Sequence, residues 1–493
     1  MVLSYLKIMS TEQTQPSTKK SFFPVEKHEM PKFLWTSLMM MLTIYIYSIL
    51  RGTKDAMLIS KMGAELISTV KLWGVTTSAI LFMLIYTKIV DSFSRTNLYH
   101  IINWFFMGFF IIFLFLLYPN VDAICPNTAG WIESMPYLKY FFVMIGGWPY
   151  TLFYIFSELW GSVMLSLMFW QLANQITAIP EAKRFYPLFG FFAQFGLAGA
   201  GILSSSLSKL NAGWDVSLMY ITATVVVAGL LISVSVEAIA KIVGKDEING
   251  AKKAGGKKKV KMGFGESLKY VMSSKYIGLI TLLIVCYGTS INLVEGLWKK
   301  SMNIYLPDPN AYISFNGYIQ TATAVATALA MLGGSYLLKT MSWRSAAILT
   351  PIIILVTGVP FFIFMVMREQ LEPTLIAYGV TAIGVAVMFG AVQNILSKAT
   401  KYSFFDPTKE MAYIPLDDEL RTKGKAAADV IGGRLGKSGG AVIQFVLLTM
   451  MPGANLLSLS PILFGIFVII MIIWFFAVFG LSKEFQAKTT ESK

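Results

Sequence analysis

From residue 33 onward the chain alternates long apolar runs with short polar breaks, and each run is about as long as a membrane-crossing helix. A helix rises about 1.5 Å per residue, so about 20 apolar residues cross a hydrocarbon layer of about 30 Å. Runs of that length fall at 33–51, 69–90, 99–118, 146–172, 184–206, 217–241, 277–298, 315–338, 345–367, 374–397, 427–451 and 459–481. The pattern predicts about twelve transmembrane helices, and the apolar stretch 138–147 adds a short helix at the membrane surface.

The polar breaks give these helices an order. The segment 242–275 carries Lys245, Lys252, Lys253, Lys257, Lys258, Lys259, Lys261, Lys269 and Lys275 among few apolar residues. Lysine-rich loops stay on the cytoplasmic side. The connection at 398–425, with Lys398, Lys401, Lys409, Arg421, Lys423 and Lys425, falls on that same side, and the loop 119–137, without Lys or Arg, on the other. The chain then divides into a cytoplasmic tail 1–32, a six-helix bundle 33–241, a basic cytoplasmic linker 242–275, a second six-helix bundle 276–482 and a cytoplasmic tail 483–493. Leu50-Arg51-Gly52 near the end of the first run matches Val294-Glu295-Gly296 near the end of the seventh, where two equivalent halves would align. Two bundles joined by a cytoplasmic linker suit a carrier that holds its cargo at mid-membrane between rocking halves.

Composition narrows the class. Hydrophobic residues make up 55% of the 493, and charged residues 14%, against about 25% charged in an average soluble domain. No stretch of ordinary composition remains to fold a soluble enzyme domain. Two cysteines, Cys125 and Cys286, do not build a disulfide framework, and two histidines, His28 and His100, give no metal cluster, so no cofactor is expected. The net charge is +14, from 41 basic and 27 acidic residues. In a lipid-embedded chain this excess reads as topology and as attraction for an anionic solute, not as affinity for nucleic acid.

The candidate chemistry lies in charges inside apolar runs, which cost about 2.5–3.5 kcal/mol each at a helix centre. Glu158 has apolar sequence on both sides. It is either a binding or proton-coupling carboxylate or a packing partner for one lysine. Lys71 opens the second run, as a phosphate ligand or a lysine snorkelling to the interface. Glu295 ends the seventh, as a site acid or an i,i+4 partner of Lys299 on an exposed helix end. Arg51 and Lys54 sit with Asp55 where the first run ends, and Asn394 is a polar group inside the tenth. Arg434 and Lys437 lie in Ile-Gly-Gly-Arg-Leu-Gly-Lys-Ser-Gly-Gly. That string has the look of a phosphate-binding loop, but Ile431 stands where such a loop needs its first glycine. Its glycines suit close helix packing instead, with the two cations projecting into a cavity. Trp160, Trp170 or Trp298 are available to stack a base, although packing and lipid contact are the default for aromatics this abundant.

Long motifs now carry a resemblance. They are Ser157-Glu158-Leu159-Trp160-Gly161-Ser162, Phe169-Trp170-Gln171-Leu172-Ala173-Asn174-Gln175-Ile176, Glu181-Ala182-Lys183-Arg184-Phe185-Tyr186, Asn292-Leu293-Val294-Glu295-Gly296-Leu297-Trp298-Lys299, Lys409-Glu410-Met411-Ala412-Tyr413-Ile414-Pro415-Leu416-Asp417 and Gly433-Arg434-Leu435-Gly436-Lys437-Ser438-Gly439-Gly440. The chain closely resembles, over about 24–485, the non-mitochondrial ATP/ADP translocases of plastids and obligate intracellular bacteria. The resemblance implies an all-α, major-facilitator-like fold and exchange of ATP against ADP, with the family's functional charges on Lys71, Glu158, Glu295 and Lys437. It also implies a monomer in the inner membrane of an intracellular bacterium. The facilitator signature after the second run is reduced to Asp91-Ser-Phe-Ser-Arg95.

Members of that family carry different cargoes, so proton-coupled import, or exchange of GTP, UTP, CTP or NAD, stands beside ATP/ADP exchange. A membrane enzyme and a lipid-handling protein are more distant alternatives. For obligate exchange the sequence suggests one device: an empty cluster of cations repels itself, and a bound polyanion relieves the repulsion.

Overall fold

The computed structural model describes residues 25–90, 92–207, 209, 213–244, 264–417, 423–451 and 453–491. Its main elements are twelve long helices. The first six are α1 (Met30–Met62), α2 (Leu66–Ile89), α3 (Arg95–Ile124), α4 (Trp148–Ile176), α5 (Ile179–Leu207) and α6 (Trp214–Val243). The last six are α7 (Lys275–Tyr305), α8 (Pro309–Thr340), α9 (Trp343–Val366), α10 (Ala382–Ala412), α11 (Lys425–Met450) and α12 (Ser460–Glu491). Eleven are long and apolar enough to cross a membrane. The exception is α11, where five glycines, Arg434 and Lys437 dilute the apolar content. The tail 1–24, Asp91, the lysines of 245–263 and Arg421 lie outside the described residues.

Local chemistry explains most of the boundaries. The hydroxyls of Ser94, Ser274, Ser342 and Thr381 and the carboxylate of Asp308 accept from backbone N–H groups three residues on, capping α3, α7, α9, α10 and α8. Gly63 (φ 89°) and Gly244 (φ 97°) end α1 and α6 in a conformation that other residues resist. A helix at Lys139–Gly146 occupies the expected surface stretch.

Three expectations are corrected. The first helix does not end at 51: it runs to Met62 and buries Met57, Leu58 and Ile59. The tenth does not span 374–397. A separate helix, Arg368–Ala377, stops before Gly379 (φ 76°), and α10 then runs from Ala382 past Lys398 and Lys401. The segments taken as linker end and tail are partly helical, at Phe264–Ser273 and along α12 to Glu491.

The first six helices pack around α1, which touches α4, α5 and α6, and the last six around α7, which touches α10, α11 and α12. Glycines set these contacts. A Cβ on Gly288 would stand 2.6 Å from the Cα of Gly436, and one on Gly440 would stand 3.0 Å from the backbone nitrogen of Leu293. The glycine run of α11 is therefore a packing surface for α7, as its sequence suggests.

Between the two sets, α5 meets α8, α1 meets α8, and the first turns of α2 meet α11. Part of the α5–α8 contact lies at one end. There a Cβ on Gly317 would meet the backbone oxygen of Gly201 and the nitrogen of Ser205 at 2.6 Å, and Lys300 Nζ lies 2.9 Å from Glu65 Oε1. At the other end the ion pairs of the described residues stay within a set, as in Lys32–Glu181, Arg184–Glu29 and Lys275–Glu484.

Candidate functional site

Where α1, α4 and α7 converge, six ionised side chains form one continuous chain. Glu158 Oε1 lies 3.0 Å from Lys54 Nζ, which is 2.9 Å from Asp55 Oδ1. Asp55 Oδ2 is 2.8 Å from Lys299 Nζ, and Lys299 Nζ is 3.0 Å from Glu295 Oε1. The same Glu295 oxygen accepts from Arg51 Nη2 at 2.7 Å. Three cations and three acids cancel. The chain crosses between the two sets twice, at Asp55–Lys299 and at Arg51–Glu295.

Burial makes these pairs matter. Lys54 is 2% exposed, Asp55 3%, Lys299 4% and Glu295 8%. A surface ion pair is worth about 0–1 kcal/mol. Removing one partner of a buried pair costs about 3–5 kcal/mol, because the other charge is stranded. The ammonium of Lys54 also sits 3.9 Å over the ring of Tyr154, a cation–π contact that helps replace its lost hydration.

Beside the chain lies a small cavity lined by Ile67, Ser68, Lys71, Asn292, Glu295 and Lys299, with Gln444 on its far wall. Its volume of about 10 Å³ has room for about one water molecule and none for a nucleotide. The halves are thus drawn together around it. Lys71 projects from a distorted turn: Val70–Val75 is π-helical, a distortion common at functional positions. Among the described residues Lys71 makes no ion pair, although it acts electrostatically on Glu295 and Glu158.

The expected site residues divide as follows. Arg51, Lys54, Glu158 and Glu295 join one ion-pair chain, and Lys71 lines the adjoining cavity. Glu295 does pair with Lys299, but in the interior and not at an exposed helix end. Asn394 is buried on α10. Arg434 is on an exposed face of α11, so the expectation that it projects into a cavity is not met by the cavity found here. Lys437 is on the same helix, and its side chain lies outside the described residues. Two of the tryptophans offered for stacking are structural: Trp160 donates to the Thr43 carbonyl at 3.2 Å and Trp298 to the Val387 carbonyl at 3.0 Å. Within the ion-pair chain the cations are matched one for one by acids, so that run does not repel itself.

Sequence reasoning passed over Lys299 and Asp55 as members of the site and took Lys398 for a loop residue. The apolar Ala-Met-Leu-Ile that follows Asp55 was the available signal that the helix, and its burial, continue.

Comparison with known proteins agrees with this architecture. The sequence model of the TLC ATP/ADP transporter family matches residues 9–485. The chain is 40% identical to ADP,ATP carrier protein 1 of Rickettsia typhi, covering 98% of this chain and 100% of that protein. It is also 40% identical to ADP,ATP carrier protein 1 of Rickettsia prowazekii, with the same coverage, and 39% identical to ADP,ATP carrier protein 3 of that organism over 95% and 97% of the two chains. Among solved structures, a bacterial homologue of the iron transporter ferroportin in an inward-facing state aligns over 94% of this chain and 98% of its own, with a TM-score of 0.58 at 16% identity. A D-xylose–proton symporter aligns over 92% and 97%, with a TM-score of 0.51 at 11% identity. At such identities the likeness speaks for the fold alone, that of the major-facilitator-like transporters.

Proposed function

Because this chain belongs to the TLC ATP/ADP transporter family, we propose that it exchanges ATP for ADP by alternating access, with the phosphates drawn to the cations between its two helix sets. The chain is a multi-pass membrane transporter, not an enzyme. The observation that carries the mechanism is the neutral run of ion pairs from Glu158 to Arg51, which bridges the sets at Asp55–Lys299 and Arg51–Glu295.

A ligand moves a two-state equilibrium only through a difference in its interactions with the two states. Without substrate, Glu158, Asp55 and Glu295 satisfy Lys54, Lys299 and Arg51, and rocking would strand buried charges. A nucleotide phosphate chain competes for those cations through charge-assisted hydrogen bonds. It releases Glu295 and Glu158 and supplies the negative charge that travels with the cations as the sets move. Lys71, which has no acid of its own among the described residues, is the entry point, and Arg434 and Lys437 of α11 are further cations for the phosphates. Asn394 contributes a neutral polar group from α10. An empty return stroke must break the chain unaided, which makes exchange obligatory.

The same reading assigns 33–241 and 276–482 as the bundles, 242–275 as the linker, and a bacterial inner membrane as the location of a monomer with cytoplasmic termini. The lysines of the linker support that orientation. The end tied by Glu65–Lys300 then faces away from the cytoplasm.

The test is uptake of labelled ATP, GTP, CTP, UTP and NAD into proteoliposomes loaded with ADP or left empty. ATP uptake into ADP-loaded vesicles alone is the expected outcome. Equal uptake into empty vesicles, with acidification of the lumen reported by pyranine, would replace exchange by proton-coupled import at Glu158. Preference for NAD would keep the transporter and change the cargo.

A further inference from the structure

We propose that Lys398 is a second phosphate ligand, the counterpart on α10 of Lys71 on α2, so that a bound nucleotide is gripped by one unpaired cation from each half. This rests on the nucleotide-exchange reading above.

The position is the first argument. Lys398 is the seventeenth of the 31 residues of α10, which puts roughly 24 Å of helix before it and 21 Å after it at about 1.5 Å per residue. It is therefore a mid-helix lysine, half-buried, where an unpaired charge is costly. Among the described residues it makes no ion pair or hydrogen bond through its ammonium.

The second argument is its surroundings. Lys398 acts electrostatically on Arg51, Glu295, Lys299 and Asp55. Those four groups already satisfy one another, at 2.7 Å for Arg51–Glu295, 2.8 Å for Asp55–Lys299 and 3.0 Å for Lys299–Glu295. Lys398 is thus surplus to a neutral network and, like Lys71, acts electrostatically on Glu295. A protein that needed Lys398 only for packing would supply it with an acid. A surplus cation at each flank of a neutral chain is instead what an incoming polyanion requires.

The third argument is the helix face. Asn394 and Tyr402 stand four residues before and after Lys398, so the three share a side of α10. Asn394 is buried, whereas Tyr402 is 49% exposed and acts electrostatically on Tyr47 of α1 and Tyr287 of α7. The strip therefore looks toward α1 and α7 and the space between the halves, not toward lipid.

The experiment is exchange kinetics of K398Q and K398R in ADP-loaded proteoliposomes, with ATP and ADP as external substrates. K398Q is expected to raise the KM for ATP about tenfold, with a smaller rise for ADP and little change in kcat, and K398R to recover most of the loss. A merely structural lysine would lower kcat and the thermal midpoint together and leave KM and the ATP-to-ADP preference unchanged; that result overturns the proposal. The wild-type protein supplies an independent readout. An amine-reactive reagent, followed by mass spectrometry, should modify Lys398 less in the presence of ATP than of adenosine. Equal modification with both ligands would also overturn it. If wild-type vesicles take up no nucleotide at all, the exchange reading fails, which is distinguishable from a normal wild type with an unaffected K398Q.

Discussion

The two ends of the helix bundle are tied by different means. At the end near Met62 and Tyr305, the halves hold each other: Glu65 pairs with Lys300, Ser314 donates to the Ser205 carbonyl at 3.2 Å, and Gly201 and Gly317 bring α5 and α8 into backbone contact. At the end near Met30 and Lys275, each half is fastened to itself. Arg184 grips Glu29, Lys32 grips Glu181, and Lys425 pairs with Glu410. The difference teaches how a rocker stores its state. Self-contained ties let a half move as a unit, whereas cross-ties hold a gate shut. The central ion-pair chain lies between these regimes and belongs to both.

The largest effect is expected at the centre. Asp55→Asn removes the acid shared by Lys54 and Lys299, and should cost about 3–5 kcal/mol of stability as well as exchange. Thermal denaturation of the purified protein and vesicle uptake read the two losses. A stable, active D55N would mean that the chain is not a lock.

Next comes the glycine contact at the closed end. Gly317→Leu places side-chain atoms where backbone already stands at 2.6 Å. Overpacking of this kind costs about 1–3 kcal/mol, and exchange should fall severalfold while the self-tied end is unaffected. Gly333, whose Cβ would meet nothing within 4 Å on the same helix, is the internal control: Gly333→Ala should leave uptake near wild type.

Smaller is Glu65→Gln, which loosens one cross-tie and leaves Lys300 partly solvated. A hydrogen bond to a charged group is worth about 1.5–3 kcal/mol. The gate population should shift several-fold, read as faster modification of a cysteine at Ser68 from the closed side. No change in that rate would place the closure in the glycines alone.

The smallest effect is expected at a self-tie. Burial pushes the Glu29 carboxyl up, but the Arg184 hydrogen bonds and charge outweigh this and hold it below the ordinary carboxylate range. A depressed acid stabilises the fold above its unfolded pKa, and that contribution is lost as pH falls through the lower folded value. Glu29 is buried, but Arg184 is 27% exposed and can rehydrate, so Glu29→Gln should cost about 1–2 kcal/mol near neutral pH. The difference from wild type should vanish in acid, with exchange at neutral pH unaltered. Denaturation midpoints across pH check this.

Much of the fold was legible in the sequence, because lipid forces a helix to declare itself as an unbroken apolar run. Lys71, Glu158 and Glu295 stood out for the same reason. Arg51 and Lys54 were legible as a basic cluster, but Asp55 and Lys299 were not, since charges near the end of a run look like the water boundary. Only the distances among them reveal that they neutralise each other inside the bundle. Lys398 was hidden by the same rule: two lysines close together, at 398 and 401, mimic a loop, yet α10 continues through both. The tryptophans follow the default for so aromatic a chain, since Trp160 and Trp298 spend their N–H groups on neighbouring helices.

The glycine-rich surface of α11 has a consequence for biosynthesis. A segment with that many glycines, Arg434 and Lys437 is a poor substrate for the insertion machinery by itself, and it is the one long helix that falls short of a self-sufficient span. The next helix to emerge, α12, is the most apolar of the spans. The two should enter the bilayer as a hairpin, with α12 as the anchor and α11 retained by docking onto α7, already in place. The last step of assembly would then set α11 against α7, so an unfinished chain never leaves that glycine surface facing lipid.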